Sequence, residues 1–281
     1  MQWHYLKRRI VNFIGIALTL IATAFTLFWL VWILTTLIGK GWQALDFSML
    51  VQDTPPPGEI GGLRNALVGS IMMCLAGVAI GAPIGVLAAT WLAEYGRGTK
   101  LAAIIRFVND VLLSAPSIII GIFVYALIVL KTGGFSGWAG ALALGIILIP
   151  VVVRTSEDML LLVPDTLREA AAALGAQRWR LIVSVVYRAA MRGMITGILL
   201  GFARISGETA PLLFTALNNQ FFSMDMSNVL ANLPMMIFQY AMSPYESWQT
   251  LAWAGALLIT LSILAINLSL RLFWRDAKKG H

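Results

Sequence analysis

Residues Ile10 to Leu37 read I-V-N-F-I-G-I-A-L-T-L-I-A-T-A-F-T-L-F-W-L-V-W-I-L-T-T-L, with no charged side chain among them. A helix needs about 20 predominantly apolar residues to cross the hydrocarbon core of a bilayer, and this run exceeds that. Lys7, Arg8 and Arg9 stand just before it, and Ala22-Thr23-Ala24 has the small-x-small pattern of a signal cleavage site. The apolar region of a signal peptide is only about 7–15 residues long. Because the run continues to Leu37, it reads as a retained transmembrane helix.

Five further stretches qualify on the same ground: Asn65–Leu92, Val111–Leu130, Gly137–Val153, Gly193–Leu217 and Leu251–Phe273. The expected fold class is therefore an all-α membrane protein of six transmembrane helices, with residues 1–281 forming one domain. Composition agrees. The 281 residues are 59% hydrophobic and 12% charged, whereas soluble domains run near 45–50% and about 25%. An ordinary soluble enzyme and a disordered chain are both excluded. Cys74 is the one cysteine, so no internal disulfide forms. The two histidines are His4 and His281, which leaves no Cys–His or Ser–His nucleophile pair and no metal cluster to propose. No G-x-x-x-x-G-K-[ST] phosphate-binding loop occurs. No catalytic residues are expected.

The net charge of +7 has no soluble domain on which to form a nucleic-acid face. It reads instead as topology. Lys7, Arg8 and Arg9 precede the first span; Arg97, Lys100 and Arg106 lie in the second loop. The fourth loop carries Arg154, Arg168, Arg178, Arg180, Arg188 and Arg192, and the tail Arg271, Arg275, Lys278 and Lys279. The first and third loops carry few Lys or Arg, and residues 218–250 carry none. By the positive-inside rule both termini and loops two and four are cytoplasmic, at a bacterial inner (plasma) membrane. Trp42, Trp91, Trp138 and Trp274 fall near span ends, where interfacial anchors belong.

Gly77, Gly81 and Gly85, then Gly193, Gly197 and Gly201, repeat at a spacing of four and let another helix approach closely. Pro83, Pro116, Pro150 and Pro211 are expected to bend their helices and free backbone carbonyls. The segment 218–250 contains Pro234, Pro244 and methionines from Met224 to Met242. It is read as an extracytoplasmic segment of short helices that meets a soluble binding protein.

Within the cytoplasmic loop 154–192, residues from Val163 read V-P-D-T-L-R-E-A-A-A-A-L-G-A-Q-R-W-R. Thr166 and Glu169 have the spacing of a capping box. Ala170 to Ala173 propagate a short helix, and Gly175 can end it in the left-handed conformation. A second short basic helix is expected over Gln177–Tyr187. Small side chains on a short capped helix suit insertion into a groove of another protein; a plain connector is the other reading these residues allow.

Glu169-Ala170-Ala171-x-x-x-Gly175 resembles the EAA loop of ABC importer permeases. Where that family continues with I-x-L-P, this chain has Val185, Val186, Tyr187 and Arg188, so the closing Leu-Pro is missing. The blocks Leu113 to Gly121 (L-S-A-P-S-I-I-I-G) and Ala203 to Leu217 (A-R-I-S-G-E-T-A-P-L-L-F-T-A-L) resemble the permease subunits of phosphate-specific ABC importers. So do Gly137-Trp138-Ala139-Gly140, Thr54 to Pro57, and Ala231-Asn232-Leu233-Pro234. The resemblance implies the type I ABC importer permease fold and transport of inorganic phosphate. It also implies a homologous second permease, two ATPase subunits that hold ATP and Mg, and an extracytoplasmic phosphate-binding protein. The chain itself would bind no cofactor. By this resemblance Arg168, Glu169, Ala170, Ala171 and Gly175 would couple to an ATPase subunit.

Arg204 and Glu208 stand four apart in the fifth span and are expected on one helical face. Arg204 lies about 16 Å beyond Gly193 at 1.5 Å per residue, near mid-bilayer. A charge there costs at least about 2.5–3.5 kcal/mol, against about 0.2–0.5 kcal/mol from an i,i+4 pair. Stability does not account for them. One reading is a salt bridge that pins two helices; the other is a pathway site. In the second, Arg204 binds phosphate with its planar donor fork while Glu208 accepts the proton that phosphate, unlike sulfate, still carries or holds Arg204 between passages. Thr209 and Ser114, from the same blocks, complete the candidate pathway. Arg106 and Asp110, also four apart, read as an interfacial pair. Arg64 either attracts anions or snorkels. Two alternatives stay open: an ABC permease for another oxyanion, and a secondary anion transporter driven by an ion gradient.

Overall fold

A computed structural model describes residues 2–59 and 61–276, and the regular elements among them are helices. Besides the single turn Ser48–Val51, they are α1 (Gln2–Ala44), α2 (Arg64–Tyr95), α3 (Lys100–Ser114), α4 (Ser117–Thr132), α5 (Gly137–Leu161), α6 (Asp165–Ala173), α7 (Arg178–Ile205), α8 (Ala210–Leu213), α9 (Leu233–Ala241) and α10 (Glu246–Asp276). Helices α1, α2, α5, α7 and α10 are each long and apolar enough to cross a membrane. The sixth span is the pair α3–α4, bent by 101°. Lys278, Lys279 and His281 lie outside the described residues.

The bend expected at Pro116 is present, and what is corrected is the bounds of the third span, which starts at Lys100 rather than Val111. Pro116 has no N–H to donate, and Ala115 before it is extended (ψ 136°), as a residue preceding proline prefers. The fifth span is corrected too. Instead of running to Leu217, α7 stops at Ile205, and α8 restarts at Ala210 with Pro211 in its first turn. Pro83 and Pro150 do not break their helices, which continue through them. The expected basic helix over Gln177–Tyr187 is the start of α7, joined to the rest through a wide turn at Ile182–Val186.

Both glycine stripes grip α5. A Cβ on Gly81 would stand 2.6 Å from the Gly145 carbonyl oxygen, and one on Gly85 would stand 2.8 Å from Val152 Cβ. Gly193, Gly197 and Gly201 likewise face Met159, Thr155 and Leu148. The fourth span is thus clasped by the second at backbone-to-backbone range and by the fifth through its own side chains. Without a hydrophobic force between helices in lipid, that close packing is what holds them together. Met73, Leu144, Leu148, Val152, Ile205 and Leu212 fill the resulting core. In contrast, α1 is exposed along its middle and meets α10 near its end, where Gly41 faces Leu257.

Candidate functional site

Two interrupted helices meet inside the bundle. Past Ile205 the chain leaves α7 through Ser206, whose N–H and hydroxyl both donate to the Phe202 carbonyl, at 3.0 and 2.7 Å. Gly207 and Glu208 turn back through backbone bonds to Arg204 (3.4 Å) and Ile205 (3.2 Å). Helix α8 then packs on α4 so closely that a Cβ on Gly121 would stand 2.6 Å from Pro211 Cα. At the other break the exposed Ser114 hydroxyl donates to the Asp110 and Val111 carbonyls, at 3.1 and 3.0 Å.

The expected pairing of Arg204 with Glu208 on one helical face is not formed, because the helix ends between them. Arg204 is exposed and Glu208 half-buried, and among the described residues no ion pair joins them. Nor does Ser114 or Thr209 hydrogen-bond to either. What the fold brings together is the two breaks, with Thr209 entering α8 and Ser114 closing α3. Irregular backbone at membrane depth is tolerated where it is buried in protein or lines a cavity. A guanidinium without a carboxylate partner keeps its fork of donors available to an anion.

The second cluster lies at the far end of the same bundle. The expected Thr166–Glu169 capping box is absent: α6 begins at Asp165 after an extended Pro164, with no side-chain cap. Proline pre-sets the entry, and Asp165 places a carboxylate in the first turn, where the helix dipole favours it. Gly175 adopts φ +76°, the left-handed conformation expected at a helix end.

Helix α6 is held to the bundle by two inward residues. Ala171 is buried with Ala89, Ala93 and Leu160. Arg168 donates to the Glu94 carboxylate at 2.7 Å, to the Leu160 carbonyl at 2.8 Å, to Asp165 at 3.1 Å and to the Val163 carbonyl. Glu94 is only 6% exposed and Arg168 12%. Arg178 donates to the Glu94 carbonyl and lies 4.6 Å over the Tyr95 ring. Glu169, Ala170, Ala173 and Leu174 face outward, Leu174 at 90% exposure. The sequence reading missed Glu94. Its one signal is a lone carboxylate just past an apolar run, near the basic stretch Arg97–Arg106.

Two more expectations are corrected. Arg106 pairs across to the buried Glu157 of α5 at 2.7 Å rather than with Asp110, which faces Arg154 at 3.8 Å. Arg64 does not stand free: Asp53 holds it at 2.6 Å and the Phe222 ring lies 4.7 Å beneath it. At the same end of the bundle, Asn65 donates to the Thr54 hydroxyl (2.7 Å) and the Asn219 carbonyl (3.0 Å). Asn232 caps α9 and donates to the carbonyl of Leu217 (2.7 Å), which has φ 54°. These bonds fix the segment 218–250 over the helix ends.

The family model for "Binding-protein-dependent transport system inner membrane component" matches residues 81–279. The phosphate transport system permease protein PstA of Haemophilus influenzae is 59% identical over 271 residues, covering 96% of each chain. PstA of Yersinia pestis is 51% identical over 98% of this chain and 92% of its own. PstA 1 of Mycobacterium tuberculosis (strain H37Rv) is 37% identical over 94% and 87%. Among solved structures, an inward-facing MetNI methionine ABC transporter superposes with a TM-score of 0.59 at 20% identity, over 76% of this chain and 94% of that one. At that identity the likeness is one of fold.

Proposed function

The chain belongs to the family of inner membrane components of binding-protein-dependent transport systems, and from that premise we propose that it conducts inorganic phosphate as one permease of an ATP-driven importer. The names of its relatives support phosphate. The observation that carries the mechanism is Arg204, an exposed guanidinium without an ion-pair partner among the described residues, at the end of an interrupted apolar helix. Phosphate entering the bundle meets the planar donor fork of Arg204. Glu208, one turn beyond the helix end, takes the second proton, the one dihydrogen phosphate exchanges near neutral pH, or holds Arg204 between passages, while Thr209 and Ser114 offer hydroxyls at the two breaks. This is a binding and gating role without covalent chemistry.

Transport is driven from the α6 side. Glu169, Ala170 and the Gly175 turn present a small-residue surface to a partner ATPase subunit, and Arg168 with Ala171 carries its movement into the bundle. The rest of the machine is a homologous second permease, two ATPase subunits holding ATP and Mg, and an extracytoplasmic phosphate-binding protein that docks on 218–250. The excess of Lys and Arg in the α6 loop and before α1 supports cytoplasmic termini. Phosphate uptake into vesicles carrying the assembled importer, with and without ATP on the ATPase side, tests the reading on wild type and Arg204→Gln. Uptake that needs both ATP and Arg204 is the expected result. Uptake indifferent to ATP overturns it in favour of a gradient-driven carrier.

A further inference from the structure

Where α1, α9 and α10 converge, two hollows share Lys40, Gln249 and Trp253 and so form one cleft. The deeper hollow, about 320 Å³, has an apolar floor that includes Ile237 and Ala256. The outer one, about 200 Å³, is lined by polar side chains including Glu246. Its level is marked by Trp42 and Phe47, 69% and 76% exposed at the end of α1, as aromatic residues at a membrane interface are. A lysine at a helix end ordinarily snorkels into water. Lys40 is exposed, yet its ammonium lies 5.0 Å over the Trp253 ring and lines both hollows of the cleft. Lys40 and Glu246 line the same hollow, yet neither forms an ion pair among the described residues.

We propose that this cleft binds one zwitterionic phospholipid of the phosphatidylethanolamine type. An anion in the outer hollow, a cation shared by both hollows and an apolar floor are complementary to a primary ammonium, a phosphodiester and an acyl chain arranged in that order. Lys40 takes the phosphate with Gln249 beside it, Glu246 takes the ammonium, and the chain runs along Ile237 and Ala256 between α1 and α10. The lipid acts as a wedge. Among the residues of α1 whose side chains are described, burial against the bundle is confined to the stretch around Leu37 and Gly41, and a lipid seated beside Gly41 extends that contact. An inorganic phosphate ion shares the attraction to Lys40 but has no use for Glu246 or the apolar floor.

Native mass spectrometry of the full chain, purified with defined lipids, tests this. Phosphatidylethanolamine is expected to be retained about tenfold better than phosphatidylglycerol, as one charge-assisted hydrogen bond implies. Lys40→Ala should lower its retention about tenfold, Lys40→Arg should restore it, and Glu246→Gln should erase the preference over phosphatidylglycerol. Unchanged melting in lipid-free detergent verifies that the variants fold. Equal retention of the two lipids, wild-type retention by both loss variants, or displacement of the lipid by millimolar inorganic phosphate overturns the proposal. So does a crosslink from Trp253 to a protein subunit in place of lipid in the assembled importer.

Discussion

Arg168 donates to the Glu94 carboxylate at 2.7 Å and to the Leu160 carbonyl at 2.8 Å, so one side chain ties α6 to the C-terminal ends of α2 and α5. Desolvating two ions offsets much of their attraction. The pair therefore adds little net stability, and its use is geometric: α6 cannot move without pulling helices that reach the Arg204 junction. Removing one partner from a buried pair costs about 3–5 kcal/mol. Glu94→Gln is expected to lower phosphate uptake more than ATP hydrolysis, read as phosphate moved per ATP in the reconstituted importer. A parallel fall of both with loss of assembled complex would reduce the pair to a folding element. The Glu94→Arg, Arg168→Glu double variant should recover part of the ratio.

Ala170 and Ala171 are neighbours in sequence and opposites in the fold. Ala171 is buried against Ala89 and Ala93, so Ala171→Leu overpacks the site at about 1–3 kcal/mol and should lower the melting temperature. Ala170 is exposed. Ala170→Leu should leave melting unchanged while reducing affinity for the ATPase subunit by on the order of tenfold or more, as a bulky group at an interface centre does. Equal melting of the two variants would contradict the inward–outward assignment of α6, and undiminished ATPase binding by Ala170→Leu would remove the docking surface.

The six spans were legible because hydropathy is a sum over about 20 residues and tolerates local irregularity. The glycine stripes were legible for a related reason: a spacing of four defines a face wherever the helix goes. The breaks were harder. Four prolines have the same local chemistry, yet Pro116 and Pro211 adjoin broken helices and Pro83 and Pro150 do not. The difference lies in tertiary packing, since the helices containing Pro83 and Pro150 are clasped together by Gly77, Gly81 and Gly85. Ion pairs failed in the same way. Spacing of four suggested Arg106 with Asp110 and Arg204 with Glu208, whereas Arg106 finds Glu157 on another helix and Glu208 lies beyond the helix end. Periodicity within one segment says nothing about partners from elsewhere in the chain, and Glu94 stayed hidden for that reason.

The clasp itself can be tested at Gly81. A methyl group there would press within 2.6 Å of the Gly145 carbonyl oxygen, which is backbone and cannot turn aside. Gly81→Ala should therefore push α2 from α5 and destabilise the bundle by about 1–3 kcal/mol, visible as earlier heat-induced aggregation in detergent. Gly39→Ala is the control, because nothing lies within 4 Å of that position. Equal behaviour of the two variants would mean that the stripe is not what holds the fourth span.

The roles of Arg204 and Glu208 separate by chemistry. Arg204→Gln removes a charge-assisted donor pair, about 1.5–3 kcal/mol, so uptake at low phosphate should fall roughly 10- to 100-fold. Arg204→Lys keeps the charge but not the planar fork, and should fall between. Glu208→Gln retains size and polarity but cannot take a proton, so its uptake should lose sensitivity to pH across the range where phosphate exchanges its second proton. Because Glu208 has no ion pair to lose among the described residues, its removal should leave melting unchanged, which distinguishes a transport defect from a folding one. Uptake with the wild-type pH profile in Glu208→Gln would eliminate proton transfer at this residue and leave Arg204 to select the anion by charge and shape alone.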